Sequence, residues 1–253
     1  MRTGRLLSYG LMIVLLVPAV ASAQQRATTN FQSIVVEDFD DPEESPWMVV
    51  GSRFIAEDYP RVSWVRTFPE ALYRREPEER TLRALGVQAA FDRKGYNFLE
   101  YIPAQRDESG EMVPRSITLP GRVHHIDMWV WGSNFNYYVD IHVQDYRGIP
   151  HVLRLGDINF RGWRNLRIPV PHTIPQDSRF TAEILAGNVV SDARSLELTK
   201  IVLWTRPMER VNGFFVYFDE INVETDLFRE PFDGEELQDP DFIQNLWAEG
   251  EGM

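Results

Sequence analysis

Five histidines and a scatter of carboxylates are the residues of this chain with the widest chemical range. His124, His125, His142 and His151 fall within one stretch of about thirty residues together with Asp127 and Asp140, and imidazole with carboxylate is a donor set for a divalent metal. Their spacing matches no zinc motif, so they read as histidines on strand surfaces and no metal is expected. Asp127, Asp140, Asp145, Asp219 and Glu220 are the carboxylates that glycoside hydrolysis would need in a facing pair. Acidic residues on sheets are more often solvated or ion-paired, and the chain carries no nucleophile elbow, phosphate loop or paired-histidine metalloprotease motif. The expectation is a protein that is not an enzyme, with no catalytic, cofactor-binding or metal residues. Asp38 and Asp219 sit on what read as the first and last strands, where their oxygens would suit calcium if they met. Capping of backbone amides is the favoured alternative.

Large rings are the other feature capable of recognition. From His125 to Trp131 and from Tyr137 to Tyr146, apolar and polar residues alternate with period two, the spacing of a sheet with one buried face. Ile126, Met128 and Val130, then Val139, Ile141 and Val143, take the core side. The opposite faces carry Asp127, Trp129, Trp131, Tyr138, Asp140, His142 and Tyr146. Trp129, Trp131, Tyr138 and Tyr146 are therefore candidates for a protein interface or for stacking on sugar rings, unless loops simply cover them.

The elements that must hold these residues are strands. The stretch Val123–Ile168 predicts three or four antiparallel strands, with a hairpin loop at Gly132–Asn136 and a turn at Arg147–Pro150. Further strands are expected at Ile34–Phe39, Trp47–Val50, Val62–Phe68, Leu198–Trp204 and Phe214–Val223. A second hairpin is expected around Arg93-Lys94-Gly95, between Leu85–Phe91 and Tyr96–Ile102. Charges crowd around Pro77, Ala104–Pro120 reads as a loop, and a short helix is expected near Arg179–Leu185. Many short strands separated by turn signals indicate an all-β antiparallel sandwich.

The ends of the chain differ from its middle. Arg2 and Arg5, an apolar run from Leu6 to Val17 and Ala21-Ser22-Ala23 read as an export signal covering residues 1–23. No stretch is long and apolar enough to predict membrane insertion. Removing the leader takes the formal charge from −12 to −14, which disfavours nucleic acid as a partner. Lys94 and Lys200 are the only lysines, so positive charge is almost all arginine. The chain has no cysteine, which rules out disulfides and thiolate metal sites. Residues 24–226 are expected to form one sandwich domain. Residues 227–253 read as an acidic tail in which Asp239 caps a short helix starting at Pro240, with Phe242, Ile243, Leu246 and Trp247 on one face as further interface candidates.

Three ordered blocks carry a resemblance: Leu85-Gly86-Val87 through Tyr96-Asn97, Trp129-Val130-Trp131-Gly132-Ser133-Asn134-Phe135-Asn136 through Gly162-Trp163, and Leu203-Trp204-Thr205-Arg206-Pro207 through Tyr217-Phe218-Asp219-Glu220-Ile221. Together they resemble the spirochaete flagellar filament outer-layer (sheath) protein family FlaA. The resemblance implies a structural, periplasmic protein that coats a core of FlaB-type flagellin, contacts other sheath subunits including itself, and contributes to filament shape, stiffness and motility. The strand order also resembles, more distantly, jelly-roll carbohydrate-binding modules, so a secreted carbohydrate-binding module is the alternative function.

Overall fold

The computed structural model describes residues 29–73, 81–176, 195–227, 237 and 240–250. Its strands are β1 (Phe31–Glu37), β2 (Trp47–Gly51), β3 (Arg61–Val65), β4 (Ala84–Ala89), β5 (Phe98–Arg106), β6 (Met112–Pro114), β7 (Ile117–Leu119), β8 (Arg122–Ser133), β9 (Tyr138–Gln144), β10 (Pro150–Asp157), β11 (Arg161–Pro169), β12 (Leu196–Trp204) and β13 (Phe214–Asp226). A helix, α1, runs from Pro240 to Gly250. The strands form two antiparallel sheets. Sheet A has the order β11-β8-β13-β4-β3 with β1 also on β13, and sheet B the order β10-β9-β12-β5-β2 with β6 on β5 and β7 on β12.

The alternation predicted for the central stretch decides the packing. Ile126, Met128 and Val130 of sheet A and Val139, Ile141 and Val143 of sheet B are all essentially inaccessible, and they share one core with Phe39, Tyr101, Tyr137, Phe214 and Phe218. Burying each such side chain stabilises the fold by roughly 1.5–3 kcal/mol. The result is the expected all-β antiparallel sandwich, and the chain passes between sheets at most connections, as in a jelly roll.

Two expected hairpins turn out to be crossings of this kind. β8 lies in sheet A and β9 in sheet B, and the same holds for β4 and β5. A hairpin would have left one apolar face of each pair without a partner; placed in opposite sheets, both faces meet across the core. Apolar residues in the connections anchor the crossings. Phe135 and Tyr137 are buried against Phe214, with ring centroids 5.9 and 5.0 Å from it, and Phe91 lies parallel to Phe214 at 6.1 Å. In the second crossing Thr205 Oγ1 accepts from Asn97 N (3.0 Å) and donates to Gly95 O (2.8 Å).

The turn at Arg147–Pro150 is a true hairpin between β9 and β10, with Gly148 at φ 79°, where a side chain would be strained. The loop expected over Ala104–Pro120 contains the end of β5 and the short strands β6 and β7, which pair along strands already in sheet B and so complete ladders that the local sequence does not announce. The leader, the charged stretch around Pro77 and the helix expected near Arg179–Leu185 lie outside the described residues, apart from the flanks of the Pro77 stretch.

Candidate interaction surface

Sheet A turns a row of rings outward. The ladders place Ser63 beside Gly86, Gly86 beside Tyr217, Tyr217 beside Trp131 and Trp131 beside Trp163, so that one rung crosses five strands. Side chains on one rung point to one face; here Trp131, Trp163 and Tyr217 are half-buried, Gly86 is buried and Ser63 is exposed. Gly86 makes the arrangement possible. A Cβ there would stand 2.8 Å from Cε1 of Tyr217, so the tyrosine ring covers the glycine. Trp131 meets that ring edge-on, at 5.3 Å and 82°. A cavity of about 280 Å³ opens among Val65, Thr67, Trp131, Trp163 and Tyr217. A second, of about 150 Å³, shares Val65 and Tyr217 and continues past Arg61, Val62, Gln88 and Phe215.

The neighbouring rung carries Trp129 between Asp219 and Asn165. Asp127, one rung further, is buried and accepts from Asn165 Nδ2 (2.7 Å) and Asn222 Nδ2 (3.2 Å). It is therefore a structural acceptor.

Tyr138 is on the other side of the molecule. It stands on the outer face of sheet B, stacked at 6.3 Å on Trp204, which in turn packs on Phe98. The Arg154 guanidinium lies 3.7 Å above its ring and reaches Asp140 at 2.5 Å. Lys200 pairs with Glu100 on the same face, and burial, followed by the Lys200 charge, holds His142 below its ordinary range. Tyr146 is beyond the end of β9, in the turn, where Arg147 donates to its hydroxyl. The four rings grouped by alternation thus divide into a sheet A pair, one sheet B residue and one turn residue. Alternation separates inner from outer faces but cannot say which sheet a strand joins.

The histidines separate in the same way. His125 faces Glu224 and His124 lies against Phe31 on sheet A, whereas His151 bonds to Asp145 at 3.0 Å beside sheet B. Asp38 and Asp219 do approach each other, because β1 pairs with β13. Burial first, and then the charges of Asp40, Glu220 and Asp38, push the Asp219 carboxyl up to about 8. Among the described residues no group of three or more His, Cys, Asp or Glu is arranged to hold a metal ion. Asp38 Oδ1 accepts from Asp40 N (3.1 Å), the amide capping expected of it.

Helix α1 begins at Pro240 as predicted. Phe242, Leu246 and Trp247 are exposed and Ile243 is half-buried. Its proposed cap, Asp239, lies outside the described residues. No described helix is long and apolar enough to cross a membrane.

The sequence model of the family described as "Flagellar filament outer layer protein Flaa" matches residues 28–230. The chain belongs to this FlaA family. A curated relative, the "Putative flagellar filament outer layer-like protein" of Brachyspira hyodysenteriae (strain ATCC 49526 / WA1), is 25% identical over 157 residues, covering 62% of this chain and 64% of the relative's length. Solved structures with similar coordinates include TmCBM61 in complex with β-1,4-galactotriose (17% identity, 76% of this chain, 94% of that one, TM-score 0.38). Another is the family 11 carbohydrate-binding module of the cellulosomal cellulase Lic26A-Cel5E of Clostridium thermocellum (12%, 76%, 94%, TM-score 0.40).

Sequence reading missed three parts of the FlaA-family surface described above: Trp163 and Tyr217 as neighbours of Trp131, and Gly86 as the notch beneath them. Trp163, Phe215 and Tyr217 each alternate with residues facing the other way along their strands, which was the available signal. Their adjacency depends on β13 lying between β4 and β8.

Proposed function

We propose that this chain is a non-enzymatic structural subunit of the outer layer of the periplasmic flagellar filament. In this reading it is exported by residues 1–23, joins the coat around a FlaB-type flagellin core, and contributes to the shape and stiffness that motility requires. The observation that carries the proposal is the family match over residues 28–230, which includes every strand of the sandwich. The rung of rings on sheet A supports it, since half-buried Trp and Tyr are the side chains that most often anchor protein contacts. Trp129 and Trp131 are assigned to that contact face, and Phe242, Ile243, Leu246 and Trp247 to a second contact element in the tail.

The test is a deletion strain whose filaments are imaged by cryo-electron microscopy. Filaments that assemble but differ in diameter, curvature or bending stiffness, in cells with impaired swimming, are expected. Filaments indistinguishable from those of the parent would refute the proposal. The same rings would also stack on sugars. Saturable binding of a defined polysaccharide, lost in Trp131→Ala and accompanied by no binding to filaments, would replace the assembly reading with the carbohydrate one.

A further inference from the structure

We infer that the ring-lined groove on sheet A receives helix α1 of a second copy of this chain, so that adjacent subunits are linked tail to sheet. The inference rests on the outer-layer reading and names the partner of its contact face. Size, polarity and charge each point to this occupant. The eleven residues of α1 extend about 16 Å at 1.5 Å per residue. The rung from β3 to β11 spans four strand spacings, or about 19 Å at 4.8 Å each. An amphipathic helix laid across the strands would therefore cover most of it.

The two surfaces are also complementary in kind. The groove offers Trp131, Trp163, Tyr217 and Val65, with the hollow over Gly86 beside them. The helix offers Leu246 and Trp247, with Trp247 71% exposed in the single chain. None of the described helix side chains lines either cavity. Charge is complementary as well. The tail carries Glu230, Asp233, Glu235, Glu236, Asp239, Asp241, Glu249 and Glu251 against Arg229. Strand β11 at one edge of the groove presents Arg161 and Arg167 in phase with Trp163, both exposed, with no acidic residue in the strand, and Arg61 stands at the opposite edge. Arg167 is already paired with Glu224, which leaves Arg161 as the better target for a tail carboxylate.

Such a contact is heterologous: groove and helix are different surfaces, so each subunit offers one of each and a row can propagate. That property supplies the test. The mature full-length chain is examined by sedimentation velocity from about 1 to about 100 μM, the range in which a small interface of this kind associates. Concentration-dependent self-association is expected. Trp247→Ala in the helix and Arg161→Glu at the groove edge should each weaken it at least ten-fold, and both positions are exposed, so neither change threatens the fold. An equal mixture of the two variants should form a dimer and nothing larger, because only one intact helix and one intact groove can meet.

Self-association unaffected by either variant, or a mixture that forms no dimer, overturns the inference. So does protection of Trp247 from acrylamide quenching that is complete and independent of concentration, which would mean that the helix docks on its own chain. Cosedimentation with flagellin filaments is measured in parallel. Filament binding without self-association defeats this inference and leaves the outer-layer reading standing, whereas self-association without filament binding does the reverse.

Discussion

Replacing Asp219 by asparagine should stabilise this protein at neutral pH. The carboxyl is buried on sheet A beside Asp38, Asp40 and Glu220, and its loss of hydration, aggravated by those charges, raises it from the ordinary 3.8 to about 8. At pH 7 the folded protein therefore holds a proton on Asp219 that the unfolded chain gives up. A carboxyl raised in this way contributes stability that is fully present below pH 3.8 and is lost as the pH rises through 8. Between the lower value and pH 7 lie about three pH units, which at 1.36 kcal/mol per unit set a ceiling of about 4 kcal/mol on the stability lost by pH 7. Solvent relaxation around a site of this kind lowers the figure, and a gain of about 1–3 kcal/mol for Asp219→Asn at pH 7 is the working expectation.

Asparagine keeps an oxygen to accept the Glu220 amide and is neutral in both states. Urea unfolding followed by tryptophan fluorescence at pH 5, 7 and 9 measures the effect. Parent and variant should diverge as the pH rises, with the variant the more stable. Parallel pH profiles, or a variant less stable than the parent at pH 9, would refute the placement of this carboxyl in a buried site beside other carboxylates.

Other expectations address the core, the groove and the tail. Tyr101 is fully buried, its ring edge-on to Phe218 at 4.7 Å, and its hydroxyl finds no hydrogen-bond partner among the described residues. Tyr101→Phe should therefore be neutral or stabilising by about 1 kcal/mol in thermal unfolding, where a loss above that size would reveal a bonded hydroxyl. Gly86→Val should cost about 1–3 kcal/mol, because its Cβ would stand 2.8 Å from the Tyr217 ring and 3.2 Å from Ser63 O; unchanged stability would show that the ring moves aside freely. Trp131→Ala should reduce incorporation into filaments, measured as the ratio of this protein to flagellin, more than it lowers the melting temperature; an unfolded variant by circular dichroism would make Trp131 a packing residue. Truncation is better placed after Leu227 than at the end of the ladder, since Leu227 N donates to Asn30 O (2.9 Å) and Asp226 Oδ1 accepts from Asn30 N (2.7 Å). The shortened chain should fold and be exported yet incorporate poorly, and full incorporation would show that the tail is dispensable.

Period-two alternation was enough to determine which side chains of β8 and β9 face the core, because a residue's side of a strand depends only on its position along that strand. Helix α1 was legible for a similar reason: its start at Pro240 and its apolar face come from contacts and spacings within four residues. Local sequence also marked the hairpin at Gly148, where a positive φ is required. Tertiary structure alone decided that Gly132–Asn136 and Arg93–Gly95 carry the chain from one sheet to the other, since a loop of the same composition can close a hairpin or cross a core, and the choice belongs to distant partners such as Phe214. Tertiary structure likewise assembled the rung Ser63, Gly86, Tyr217, Trp131 and Trp163, which joins residues a hundred positions apart, and parted Tyr138 from Trp129 and Trp131 by the thickness of the sandwich. Adjacency in a sheet is settled by which strands bury the most apolar surface together, a property of the whole set of strands that no window of sequence contains.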